Sequence, residues 1–192
     1  VLGEKRRMIQ WFCYIFLKIQ GWKFVDRAPK DLTSFVCIGA PHTSNYDFFP
    51  AMATLHKIKR NPKFVIKNEW MVFPFNLFFK LAGAVGVNRK SSSSATDAIA
   101  ELFQQHQELV LLISPEGTRS PRDTWKSGFY YIAQKAKVPI GLGYVDYAKK
   151  ETGVGMIIHL TNYEDDMKII TNFYKNMTAK NADNFKLDKK YH

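Results

Sequence analysis

His42 and Asp47, five positions apart, form the sharpest chemical pair in the chain. A carboxylate set against one imidazole nitrogen fixes the tautomer and leaves the other nitrogen as a general base. In one continuous helix this separation would rotate the two side chains by about 500°, onto different faces. They meet only if His42 lies in a turn ahead of the helix. Gly39 and Pro41 supply such a turn, and Ser44 or Asn45 can cap the helix start. The chain offers this base no evident nucleophile of its own. Cys13 and Cys37 lie in apolar runs, and the serines beside His42 are too near it in sequence. The reacting hydroxyl would then belong to a substrate. The alternative is a surface-loop histidine without a chemical role.

A second group is Ser114-Pro115-Glu116-Gly117-Thr118-Arg119-Ser120. It follows the run Leu109–Ile113, and ligand sites in α/β folds gather beyond strand ends. Gly117 permits a positive φ or a close backbone approach, and Arg119 can grip a phosphate with two donors. Glu116 needs a partner if buried, most simply Arg119 or another nearby cation. A solvated turn with a surface ion pair is the plainer reading. A third group, Gly83–Arg89, places Arg89 at the end of an apolar segment. Two arginines converging beyond strand ends would make a phosphate site. The five histidines are scattered, with no HExxH or CxxC, so no metal site is expected. There is no P-loop, no dinucleotide fingerprint, no Gly-x-Ser-x-Gly elbow and no recognised nucleic-acid motif.

The elements that must carry these residues follow from periodicity. Short apolar runs at Phe35–Ile38, Phe64–Ile66, Gly83–Val87, Leu109–Ile113, Pro139–Gly143 and Gly153–Leu160 read as strands. Helical patterns over Asp47–Arg60, Ala95–Gln105, Gly128–Ala136 and Asp165–Asn184 alternate with them. Uniformly apolar strands alternating with helices predict an α/β fold, a central mixed or parallel sheet covered by helices. The length of 192 residues suits a single domain. We divide it into an amphipathic N-terminal helix over 1–25, an α/β core over 26–185 and a basic tail over 186–192.

Residues 5–25 alternate aromatic and cationic positions, with Trp11, Phe12, Phe16 and Trp22 among Lys5, Arg6, Arg7 and Lys18. Such a helix packs into a core or lies on a bilayer, and one exposed on one side does both. Trp70–Leu81 is also strongly apolar, suited to core packing or a hydrophobic groove. No run reaches the ~20 apolar residues of a membrane span. No secretory cleavage site follows the basic start. Basic residues number 28 against 17 acidic, giving +11, which favours an anionic partner.

Taken together, the motifs resemble those of the glycerolipid acyltransferase family. His42-Thr43-Ser44-Asn45-Tyr46-Asp47 resembles its first motif, a His, four residues, then Asp. Gly83–Arg89 resembles its second and Ser114–Ser120 its third, Phe-Pro-Glu-Gly-Thr-Arg-Ser. Val138-Pro139-Ile140 resembles its fourth, and Lys126 with Gly128-Phe129 matches the stretch between the last two. Pro41, Asn88 and Ser114 depart from the usual pattern. The agreement in order and spacing runs from residue 35 to about 145.

The resemblance implies a glycerol-3-phosphate acyltransferase-like fold and acyl transfer to the free hydroxyl of a lysophospholipid, first of all 1-acyl-glycerol-3-phosphate. It implies acyl-CoA or acyl-carrier protein as donor, with no metal or bound cofactor. His42 would be the base and Asp47 its orienting partner. Arg119, helped by Arg89, would bind the acceptor phosphate, with Glu116, Gly117 and Thr118 shaping the pocket. The substrate partitions into a bilayer, so the expectation is a peripheral enzyme on an anionic membrane surface, on its cytoplasmic side, with no nucleic-acid partner. Another lyso-lipid acceptor, a thioester or lipid hydrolase in which His42 activates water, and a non-catalytic anionic-membrane binder are the competing readings.

Overall fold

The computed structural model describes residues 2–59, 62–67, 84–87, 95–106 and 108–192. Its elements, in order, are α1 (Leu2–Ile19), β1 (Lys23–Asp26), β2 (Phe35–Ala40), a 3-10 turn (Asn45–Asp47), α2 (Phe48–Ile58), β3 (Pro62–Lys67), β4 (Ala84–Val87) and α3 (Ala95–Gln105). They continue with β5 (Val110–Ile113), α4 (Gly128–Ala136), β6 (Ile140–Asp146), β7 (Glu151–Ile158), α5 (Tyr163–Tyr174) and a second 3-10 turn (Ala182–Asn184).

The seven strands form one sheet in the order β1-β7-β6-β2-β5-β3-β4. Every neighbouring pair is parallel except β6 and β7. This is the expected α/β architecture. Its central strand β2 is buried from Phe35 to Ile38, which explains an apolar run without alternation. Phe35 and Cys37 point to one face, and Val36, Ile38 and Ala40 to the other. On the second face α3, α4 and α5 pack Ile99, Phe129, Ile132, Met167 and Ile170 over the sheet. On the opposite side Cys13 and Leu17 of α1 meet Met52, Ala53 and Leu55 of α2.

Two boundaries differ from the sequence reading. The N-terminal helix stops at Ile19 rather than near residue 25, and Lys23–Asp26 forms an edge strand. Gly21, at φ 83°, ends the helix. Its N–H donates to the Lys18 carbonyl and that of Trp22 to the Leu17 carbonyl, the paired bonds of a Schellman cap. At the other end of the chain, α5 closes at Tyr174, well before Asn184. The segment Trp70–Leu81 lies outside the described residues.

One side chain ties the helical layer to two of the strands that lead to the site. Tyr174 of α5 is fully buried, and its hydroxyl lies 3.2 Å from the Ile38 carbonyl and 2.8 Å from that of Gly143. It thereby clamps β2 to β6 at Ile38 and at Gly143, the middle of β6. Removing the hydroxyl strands buried acceptors in a site closed to water. Tyr174→Phe should lower stability by about 1–3 kcal/mol in urea-denaturation curves, with the slope unchanged.

Candidate active site

Three adjacent parallel strands, β6, β2 and β5, deliver their C-terminal ends to one edge of the sheet. His42 follows β2, Glu116 follows β5, and Tyr147 follows β6 at once. Residues distant in sequence therefore meet there.

The turn the sequence demanded is present. The chain leaves β2 at Ala40, and the His42–Ser44 segment precedes the 3-10 turn. Ser44 is its cap: the Ser44 Oγ accepts from the Tyr46 N–H at 3.1 Å. Asp47 closes the box by accepting the Ser44 N–H at 2.9 Å. The same Oδ2 accepts the Thr43 N–H at 2.9 Å and stands 3.3 Å from His42 Nδ1. The structure thus brings His42 and Asp47 together. With Nδ1 facing the carboxylate, Nε2 is the nitrogen left for chemistry. The imidazole is one-third exposed, whereas Asp47 is buried.

Asp47 Oδ1 accepts the Tyr147 hydroxyl at 2.6 Å. Burial pushes the Asp47 carboxyl up, but hydrogen bonds from His42, Tyr147 and Ser44 outweigh it and hold the group below the usual carboxylate range. Tyr147 is the residue the sequence reading missed. Its signal was modest: a tyrosine four residues beyond the expected strand Pro139–Gly143.

Glu116 is buried, and its expected partner is corrected. Its Oε2 accepts the His42 backbone N–H at 2.9 Å, with Ser114 Oγ at 3.5 Å. No salt bridge to Arg119 forms among the described residues. Arg119 projects into solvent, and a backbone donor has taken the role expected of a cation. Oε1 is buried without a hydrogen-bond partner among the described residues. Burial dominates its ionisation and lifts the carboxyl to about 7, the His42 N–H opposing and the nearby Asp47 charge reinforcing.

Gly117 adopts φ 67°, and a Cβ there would lie 2.8 Å from the stem of Lys126. The Lys126 N–H donates to the Pro115 carbonyl at 2.8 Å, folding the loop back on itself. Thr118 Oγ1 accepts from the Ser120 N–H at 3.2 Å. This places Glu116–Arg119 on one loop beside His42. Arg89 lies outside the described residues; β4, two residues before it, ends at Val87 on this same edge of the sheet. Among the described residues no cluster of three or more His, Cys, Asp or Glu side chains is placed to hold a metal ion.

Known proteins share both sequence and fold with the chain. The human 1-acyl-sn-glycerol-3-phosphate acyltransferase beta is 30% identical over 144 residues, covering 71% of this chain and 51% of its own length. The chain thus spans about half the length of that relative. The crystal structure of the 1-acyl-sn-glycerophosphate (LPA) acyltransferase PlsC from Thermotoga maritima superposes with a TM-score of 0.57 at 16% identity. It covers 88% of this chain and 77% of that one, and it shows a shared fold. The acyltransferase family model matches residues 18–141, a span holding His42, Asp47 and the whole Ser114–Ser120 loop. On that match, the chain belongs to the acyltransferase family.

Proposed function

We propose that the protein transfers a fatty acyl group from an acyl thioester to the free hydroxyl of a lysophospholipid, 1-acyl-glycerol-3-phosphate being the leading acceptor. The observation that carries this is the His42–Asp47 contact at a sheet edge, with the imidazole partly open and the carboxylate buried and ionised. His42 Nε2 takes the acceptor proton while the hydroxyl oxygen attacks the thioester carbonyl. The tetrahedral intermediate collapses by breaking the C–S bond. The leaving thiolate takes the proton back from the imidazolium, and an ester has formed. The donor is acyl-CoA or acyl-carrier protein. Arg119 serves the acceptor phosphate, with Arg89 as its second cation, while Gly117 and Thr118 shape the loop that carries it.

The surface around the site supports a lipid substrate. Cys13 and Leu17 turn the inner face of α1 to the core, while Met8, Trp11, Phe12, Phe16 and Ile19 stay exposed. Phe12 is 62% and Ile19 81% exposed, unusual for large apolar groups on one helix face. The aromatic strip continues from Phe16 to Phe49 (6.0 Å between ring centroids) and from Phe49 to Tyr46 (5.1 Å), one residue from Asp47. Lys5, Arg7 and Lys18 on the same helix are exposed. An anionic bilayer suits this mixture of inserted rings and flanking cations. No helix among the described residues is long and apolar enough to cross a membrane. We therefore read α1 as a docking helix lying on the surface.

Three outcomes test this reading. His42→Ala should cut lyso-lipid-dependent product by 10²-fold or more while leaving the melting temperature in place, scored by mass spectrometry of the lipids. Fatty acid release independent of the lyso-lipid would mark a hydrolase instead. Phe12→Ser with Phe16→Ser should reduce sedimentation with phosphatidylglycerol vesicles and spare turnover of a short-chain, water-soluble acceptor. The third concerns Glu116, whose folded carboxyl is raised from an ordinary 4.5 to about 7. The folded state then holds the extra proton between those values, so this group's contribution to stability is lost as pH rises through 7. Glu116→Gln should gain on the parent by up to about 3 kcal/mol between pH 5 and pH 8 in urea unfolding.

A further inference from the structure

We propose that Tyr147 is a positioning residue for the His42–Asp47 pair, held in place by a strap over Thr178–Asn181. The inference rests on the acyl-transfer reading above for its catalytic consequence, and on geometry alone for its structural part.

Asp47 divides its two oxygens between different tasks. Oδ2 receives the Thr43 and Ser44 N–H groups and faces His42 Nδ1. Oδ1 receives the Tyr147 hydroxyl at 2.6 Å. A carboxylate bonded on one oxygen alone can rotate about its Cβ–Cγ bond. One bonded on both cannot, so the Tyr147 hydroxyl fixes the plane that presents Oδ2 to the imidazole. A charged acceptor also makes this bond stronger than a neutral one.

The tyrosine is itself held on several sides. Its backbone N–H donates to the Thr178 carbonyl at 2.9 Å. Its ring meets Trp22 edge-on at 5.3 Å and lies 6.3 Å from Tyr46. Lys180 Nζ sits 4.7 Å from the Tyr46 ring centre and 5.5 Å from that of Tyr147. A cation against the π face draws charge from the phenol and sharpens its O–H as a donor. Next in the chain, the Asn181 N–H donates to Thr43 Oγ1 at 3.1 Å, and Asn181 Nδ2 to the Thr43 carbonyl at 3.0 Å. Residues 178–181 therefore bind both Tyr147 and the residue after His42. The strap locks the two sides of the pair to one another.

The ionisable groups around Asp47 are His42 on its own loop, Glu116 from the β5 loop, Tyr46 from the 3-10 turn, Tyr147 beyond β6 and Lys180 from the strap. Removing the Tyr147 hydroxyl takes away a donor to the charged form of Asp47. The carboxyl then binds a proton more readily, and its titration moves upward.

The test compares the parent with Tyr147→Phe and with Lys180→Met. Both are followed by steady-state kinetics across pH and by carboxyl ¹³C NMR of the aspartates, with Asp47 assigned by its absence in Asp47→Asn. In Tyr147→Phe we expect the Asp47 midpoint to rise by about one pH unit. We expect kcat to fall about tenfold with KM for both substrates within twofold, and the acid limb of kcat to move up. Lys180→Met, which leaves the hydroxyl in place, should move the midpoint the same way by less. A loss of melting temperature with the midpoint and acid limb unmoved would mean a purely structural tyrosine and would overturn the proposal. So would a shifted midpoint with unchanged kcat and pH profile. If the parent itself transfers no acyl group, the acyl-transfer reading fails, and the Asp47 midpoint still decides whether Tyr147 holds the pair.

Discussion

The site depends on keeping one buried carboxylate charged. Asp47 sits away from water, where an unpaired anion would take up a proton instead. Two backbone N–H groups, one phenol and one imidazole surround it. Each donor comes from an element that must be correctly folded for the set to close. The Thr43 and Ser44 amides require the tight turn after β2, and Tyr147 requires the end of β6. The charge state of one side chain therefore registers the alignment of two parallel strands. Tyr174 reinforces that alignment from below, through its bonds to the Ile38 and Gly143 carbonyls.

The sheet order explains why this edge is chemically rich. Parallel neighbours place their C-terminal loops side by side, and β6, β2 and β5 are three in a row. An antiparallel arrangement would have sent alternate loops to opposite edges. β7 and its parallel neighbour β1 run opposite to the other five strands, and β7 follows β6 through the short turn that holds Tyr147. The helices then divide the remaining work. On one face α3, α4 and α5 complete the core, and on the other α1 keeps an outer row of aromatic groups that the core does not use.

Much of this was legible in the sequence, and what was not had a physical cause. His42 and Asp47 could be paired because the cap, the turn residues and both side chains lie within nine positions. Strands such as Leu109–Ile113 declared themselves by apolar runs suited to a doubly covered sheet. β1 was hidden because Trp22 and Phe24 prolong the spacing of the helix before it; only Gly21 marked the break. Glu116 was expected to seek a cation, since sequence shows charged side chains but not which backbone amides point at them. Tyr147 was missed for a different reason. It lies 100 residues from Asp47, and the contact arises from strand order, which no local pattern encodes.

Two carboxyls share this site, and their environments drive them apart. Asp47 receives donors on both oxygens and stays ionised, whereas Glu116 has one short bond and a bare oxygen and is lifted to about 7. Near neutrality the pair therefore carries between one and two negative charges, with His42 joined to both, to Asp47 by its ring and to Glu116 by its backbone. A proton on Glu116 lowers the negative charge beside His42. In the acyl transfer proposed above, an anion fixed there would oppose negative charge developing on the substrate, while a neutral acid would not. Separating the two ionisations leaves one charged carboxylate against the imidazole ring and, on the acyl-transfer reading proposed above, keeps a second anion from working against the transition state.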